Sequence, residues 1–364
     1  MRSAKRVCLL VAPILALLAA CTRPHGSENS TAQSNRPTSV SAAAPAPPEP
    51  TPEANASEAM PAGDQTKVLM HNVMLNERPG FTLRVRWLRG TVRPTHPGVI
   101  PSFDEPSSFV LDVEAGVVAT SLNEISGLLN AGLLQGSPLE GVSLAAEGKQ
   151  LKLNGTLHKG IPLPVEMLSD VGTSPDGRIR LHVVKLRVLK LPVKGLLRSF
   201  HVRLDDLVNP KGATGIQVAG DDIYLNAEQV LPAPAIHGKL TDVRIGNKSG
   251  DLIAVFGAAR PEVMKTKEWR NFIWMQGGTL NFGKLTMKHT DLVLIDTSDD
   301  EWFGFDLTRY QEQLVNGHIQ MTPEAGLRVY MPDIDKIPRT AQNRAINPEW
   351  MKNRNIPPPP ALAQ

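Results

Sequence analysis

The chain has 364 residues, 41% hydrophobic and 21% charged, which is enough apolar material for a large core and excludes wholesale disorder. Its two cysteines cannot build a disulfide framework. The formal charge is +3, but Arg2, Lys5 and Arg6 lie in a segment read below as removed. Taking these three from 39 basic residues leaves 36 against 36 acidic ones, without the basic excess of a nucleic-acid binder, so no nucleic-acid partner is expected.

In chain order, Arg2, Lys5 and Arg6 precede a run from Val7 to Ala20 that is apolar apart from Pro13. The run is too short to span a bilayer comfortably, which takes about 20 residues, and reads as an export signal. Leu18-Ala19-Ala20-Cys21 resembles the lipobox of bacterial lipoproteins: leucine, two small residues that fit a signal peptidase, then the acylated cysteine. The resemblance implies that 1–20 is a signal peptide and that Cys21 becomes a lipidated N-terminus. It also implies anchoring through acyl chains, each buried methylene contributing about 0.8 kcal/mol. Thr22, where inner-membrane lipoproteins carry Asp, implies an outer-membrane anchor facing the periplasm.

Residues 22–65 contain no Phe, Trp, Tyr, Ile or Leu, and with 341–364 they hold 13 of the 31 prolines. Such segments cannot bury enough surface to offset their ordering entropy. We therefore expect Cys21 and the stretch to 65 to form a lipidated, disordered tether, and 341–364 a disordered tail. Fully extended at about 3.1 Å per residue, the tether reaches on the order of 130 Å.

The body, 66–340, reads mostly as strands. Phe81, Leu83, Val85 and Trp87 alternate with Thr82, Arg84 and Arg86, the period of a half-buried strand. Ser121-Leu122-Asn123-Glu124 is a capping box, and Leu122, Ile125, Leu128, Leu129 and Leu133 follow on one helical stripe until Gly136-Ser137-Pro138. Leu151, Leu153 and Leu157 mark another strand face, and Asp176-Gly177 is a hairpin signal. Ile179, Leu181 and Val183 then lie on one face, while Val184, Leu186 and Val188 carry the apolar side onward, a phase slip that predicts a β-bulge near 183–184. This phase places Arg178, Arg180 and His182 on one face, and Lys185 and Arg187 on the other. A second one-sided helix is expected over 193–208, with Leu196, Leu197, Phe200, Leu204 and Leu207. Turn signals at Gly220-Asp221 and Gly250-Asp251 flank further strands, and Gly278 to Leu294 repeats the alternation.

The segments Ser121–Leu134, Gln150–His158, Gly177–Leu197 and Asp222–Gly257 together resemble the tubular lipid-binding superfamily, the TULIP or BPI-like proteins. Gly238-Lys239-Leu240-Thr241-Asp242-Val243-Arg244 followed by Gly250-Asp251-Leu252-Ile253 is similar to the closing hairpin of its small bacterial members. The resemblance covers about 119–257. It implies an α+β fold in which a curved antiparallel sheet wraps a long amphipathic helix, with a lipid-binding body over 66–258; the continuation over 259–340, expected to be β-rich, departs from that family and has no counterpart in it. It also implies an apolar tunnel for a lipid or acyl chain, lined by Leu122, Ile125, Leu129, Leu153, Leu157, Ile179, Leu181, Val183 and Leu186. The alternative is that the same residues form a packed core.

Catalytic signatures are missing: there is no G-x-S-x-G, no H-E-x-x-H and no P-loop, and no enzyme or cofactor is expected. The nine histidines show no metal-ligand spacing. Asp296-Thr297-Ser298-Asp299-Asp300-Glu301 has enough carboxylates for calcium but lacks the EF-hand spacing, so it reads as a solvated turn and no metal is assigned. From Arg178 to Arg203 there are eight Lys or Arg residues and no Asp or Glu. Arg178, Arg180, Lys185 and Arg187 are accordingly candidates for contact with lipid headgroups or a membrane, against the alternative of a solvated sheet face. Trp269, Phe272, Trp274, Trp302, Phe303, Phe305 and Tyr310 supply either a surface for an envelope protein partner or membrane, or the core of a second sheet. The expected function is an outer-membrane lipoprotein that binds or shuttles lipid. The rivals are a non-catalytic adaptor or assembly lipoprotein with a packed β-rich body, and an envelope hydrolase with scattered catalytic residues.

Overall fold

The computed structural model describes residues 65–159, 161–188, 204, 215–247, 249–257 and 269–337. The expected signal peptide, Cys21, the tether, the tail and all of the expected 193–208 helix except Leu204 lie outside these residues.

Long alternating segments form the strands. They are β1 (Thr66–Arg78), β2 (Phe81–Pro94), β3 (Phe109–Thr120), β4 (Leu139–Glu147), β5 (Gln150–Lys159), β6 (Ile161–Thr173), β7 (Ile179–Val188), β8 (Ile216–Ala219) and β9 (Asp222–Leu225). After them come β10 (Ala235–His237), β11 (Leu240–Ile245), β12 (Leu252–Phe256), β13 (Phe272–Phe282), β14 (Leu285–Asp296), β15 (Phe303–Asp306), β16 (His318–Met321) and β17 (Leu327–Met331). The helices are α1 (Leu122–Leu128), continued by a π turn over Leu129–Leu133, α2 (Ala227–Val230) and α3 (Tyr310–Asn316).

Two sheets result. The large one has eleven strands, in the order β11-β12-β3-β2-β1-β13-β14-β17-β16 with β10 on β3 and β15 on β1. The small one runs β4-β5-β6-β7-β9-β8. The apolar faces of the two sheets meet, and each contributes its own buried cluster; Val171, Ile179 and Leu252 pack against both.

The expected α+β fold, with a sheet around a long amphipathic helix, is therefore corrected: among the described residues the fold is β-dominated and the helices are short. The α1 capping box forms as expected, with Ser121 and Glu124 each satisfying the other's backbone N–H. However, α1 runs only seven residues before the π turn, and the chain leaves it through Gly136 at φ +75°, a left-handed conformation that stops a helix. The side chains of two sheets face each other where a central helix was expected.

The expected bulge is present: Leu168 pairs with Lys185 and Ser169 with Val183, leaving Val184 unpaired. The Asp176-Gly177 turn also forms, closed by the Gly177 N–H on the Ser174 carbonyl at 2.9 Å. The boundary placed near 258 falls within one sheet, because β13 pairs with β1 and the following strands extend outward from it. The C-terminal aromatics are mostly core: Phe272, Phe303, Phe305 and Tyr310 are all at most 2% exposed. The Tyr310 hydroxyl donates to Asp104 Oδ1 at 2.7 Å and accepts from the Gly283 N–H at 2.9 Å, tying α3 to the β13–β14 turn.

Close approach of β2 and β3 depends on glycine at position 90. A Cβ at Gly90 would lie 2.2 Å from the Asp112 carbonyl oxygen across β2 and β3. Gly90→Ala should therefore force the two strands apart and cost about 1–3 kcal/mol, as overpacking typically does. A urea-unfolding midpoint equal to wild type would show that the strands separate freely.

Candidate functional site: an apolar cavity between the sheets

The inner faces of the sheets do not fill the space between them. A cavity of about 180 Å³ remains. Leu75 of β1 and Phe81, Leu83 and Val85 of β2 form its wall on the large sheet. Leu153, Met167, Leu181 and Ile223 form the wall on the small sheet. At the sides, Leu122, Ile125 and Leu129 enter from α1 and its π turn, and Ala227 and Val230 from α2. The accessible wall is apolar throughout. The hydroxyl of Thr120, a lining residue, is directed to Glu124 Oε2 at 3.4 Å. A polar ligand group would find no partner there, and unpaired polar groups are costly to bury. A void of about 150 Å³ with walls of this kind stays dry and accepts benzene-sized apolar ligands. The arrangement can therefore hold hydrocarbon, and the wall formed by the described residues is apolar.

Of the nine residues expected to line a tunnel, Leu122, Ile125, Leu129, Leu153, Ile179 and Leu181 stand on the cavity wall. Leu157, Val183 and Leu186 do not. Leu157 is 1% exposed and belongs to the packed cluster of the small sheet, and Val183 and Leu186 pack against that cluster. The wall on the large sheet was not anticipated as lining, although the alternation over Phe81–Trp87 identified the strand that supplies it.

The basic residues of β7 are arranged differently from the expectation. The bulge at Val184 restores the phase, so Arg180, His182, Lys185 and Arg187 all lie on the outer face, opposite Gly172, Asp170, Leu168 and Glu166 of β6. The placement of Lys185 and Arg187 on the face opposite Arg180 and His182 is thus corrected: the extra residue turns both strand halves the same way. This face is charge-compensated. Arg180 makes two hydrogen bonds to Asp222, at 2.9 and 3.1 Å, and His182 Nδ1 lies 2.9 Å from the same carboxylate. The Arg180 guanidinium, with His182 in support, holds Asp222 below the usual carboxylate range. Arg178 donates to Asp176 and Gln217 and lies 4.8 Å over the Tyr224 ring. Lys152 bridges Glu166 and Glu147 at 2.9 and 3.3 Å. Lys185 and Arg187 are exposed. The structure thus brings the four candidate cations to one side of the small sheet, interspersed with carboxylates and away from the cavity wall.

The acidic run 296–301 joins β14 to β15 as a turn in which Asp296, Asp300 and Glu301 are engaged. Asp296 accepts from Asn271 and from the Ser298 N–H, Asp300 pairs with Lys336 at 2.9 Å, and Glu301 pairs with Arg86 at 2.9 Å. Arg86 also lies 4.6 Å over the Trp302 ring. Among the described residues no three His, Cys, Asp or Glu side chains are placed to hold a metal ion, and no helix is long and apolar enough to cross a membrane.

In comparisons with known proteins, no family model matches the chain, no curated protein is similar to it and no solved structure resembles it.

Proposed function

We propose that this chain is a lipid-binding lipoprotein of the bacterial envelope: Cys21 carries the acyl anchor and the body holds the hydrocarbon part of a lipid between its two sheets. The observation that carries the reading is the apolar cavity, walled by both sheets and by two short helices. A close-packed interior leaves few voids larger than a water molecule. A dry void of this size retained between two long sheets is the shape of a hydrocarbon site. The lipobox Leu18-Ala19-Ala20-Cys21 and the Pro-rich stretch after it support a body tethered near a membrane, and the absence of Asp at position 22 supports the outer membrane.

The test is extraction. Protein purified from the envelope should release a stoichiometric lipid, identified by mass spectrometry, beyond the acyl groups attached to Cys21. A lipid-free body in every preparation would leave the packed adaptor as the better reading. The anchor is tested separately, because Cys21→Ser should abolish acyl labelling and release the protein from membranes. Unchanged labelling and membrane association in that variant would remove the lipoprotein half of the proposal.

A further inference from the structure

The two lateral ends of the cavity are closed in unequal ways. At the β4 edge of the small sheet, α1 is stitched in place. Leu122, Ser126 and Leu128 are buried. Ser126 Oγ donates to the Leu122 carbonyl at 2.7 Å and accepts from the Leu144 N–H of β4 at 2.9 Å. The Asn130 side chain donates to the Val142 carbonyl at 2.7 Å and accepts from the Val142 N–H at 2.9 Å, acting as an extra strand residue against β4. The capping box fixes the other end of α1.

At the opposite edge, beside β8 and β9, the closure supplied by the described residues is slight. The helix α2 has four residues and none of them is buried. Its cap is internal, with the Glu228 N–H on Asn226 Oδ1 at 3.1 Å. Its preceding residue is tied to the chain beside β8 by the Asn226 N–H on the Gly215 carbonyl at 2.8 Å. The cavity wall here is half-buried rather than sealed, at Ile179, Ile216, Leu225, Ala227, Val230 and Leu231. Segments with few buried side chains and few hydrogen bonds to their surroundings open at the lowest free energy.

We infer that the ligand is an amphiphile that enters tail first beneath α2, its chain end directed toward α1 and its polar head left in water at the α2 edge. The inference rests on the reading of the cavity as a hydrocarbon site. The apolar wall adds the orientation, since a headgroup drawn inside would lose its hydration with nothing in exchange.

The experiment places a reporter at each edge of the full-length chain. Cys8→Ser and Cys21→Ser remove the two native thiols. Bimane is then attached to Glu228→Cys in α2 or to Ala131→Cys in the π turn after α1, both exposed positions. The probes are cis-parinaric acid, whose fluorescence reports uptake of a chain, and a stearamide bearing a nitroxide on its head. Uptake of cis-parinaric acid, together with saturable quenching of bimane that is at least fivefold stronger at 228 than at 131, is the expected result. Uptake with equal quenching at the two positions, or with stronger quenching at 131, overturns the entry route and leaves the cavity reading intact. No uptake of cis-parinaric acid overturns both. Val230→Trp provides a second measurement. It should slow cis-parinaric acid association at least tenfold while Ala131→Trp, at an exposed position off the cavity wall, leaves the association rate within a factor of two, and equal rates for the two variants would count against the α2 portal.

Discussion

Leu181→Trp and Leu153→Trp are expected to keep near-normal unfolding midpoints and to lose bound lipid. Both side chains stand on the cavity wall of the small sheet, and both are at most 9% exposed. An indole added at either position extends into empty space, so the free volume absorbs the added atoms. In a close-packed core the same change forces neighbours off their rotamers and costs about 1–3 kcal/mol. Leu157→Trp is the internal control, because Leu157 is 1% exposed and lies off the wall in the packed cluster. The expected pattern is loss of lipid without loss of stability at 153 and 181, and loss of stability at 157. Equal destabilisation at all three positions would show that the space closes in solution, and the lipid-carrier reading would fall with it.

A second large effect is expected at Glu77. Burial raises its pKa well above the ordinary glutamate value, and neighbouring Arg78 offsets this only in part. The side chain is 2% exposed, and neither carboxylate oxygen has a hydrogen-bond partner among the described residues. Below the ordinary value of 4.5 the group is protonated in both the folded and unfolded chain, and its contribution is fully present. As pH rises through the window between 4.5 and the raised folded value, the unfolded chain releases a proton that the folded chain retains, so stability is progressively lost. Glu77→Leu removes both the ionisation and the orphaned polar atoms, the latter a penalty of about 1–3 kcal/mol. Its melting temperature should exceed that of wild type, and the difference should grow between pH 4.5 and pH 8.5. A difference that stays constant with pH would mean that the glutamate is solvated or paired.

Much of the local structure is legible in the residues. The alternation from Phe81 onward is a strand, Ser121 and Glu124 do cap a helix, and the slip between Val183 and Val184 is a bulge. These features depend on neighbours in sequence, and period and capping chemistry report them directly. Long-range pairing is not encoded in that way. The alternation over Gly278–Leu294 marks strand, but nothing local says that β13 lies against β1, or that β15 joins β1 and β17 joins β14 in parallel. The consequence of the bulge was misjudged for a related reason: periodicity counts residues, whereas the face of Lys185 and Arg187 depends on the pairing with β6, which absorbs one residue. Glu77 escaped notice because a charged residue at a strand end reads as the start of a turn. The step from Val73 through Leu75 to Glu77 puts it on the buried face.

The position of β1 in the large sheet has a consequence for the order of assembly. It pairs with β2, which follows at once, and with β13 and β15, which lie far down the chain; the Thr66 hydroxyl donates to the Gly277 carbonyl across 211 residues. During synthesis β1 and β2 emerge as a hairpin with the backbone N–H and C=O groups along the other edge of β1 unpaired, and that edge stays open until most of the chain has been made. Such late loop closure makes folding slow, and open edges recruit foreign strands. The half-made chain is thus the species at risk of aggregation, and a chaperone that holds it would act most usefully on the first two strands.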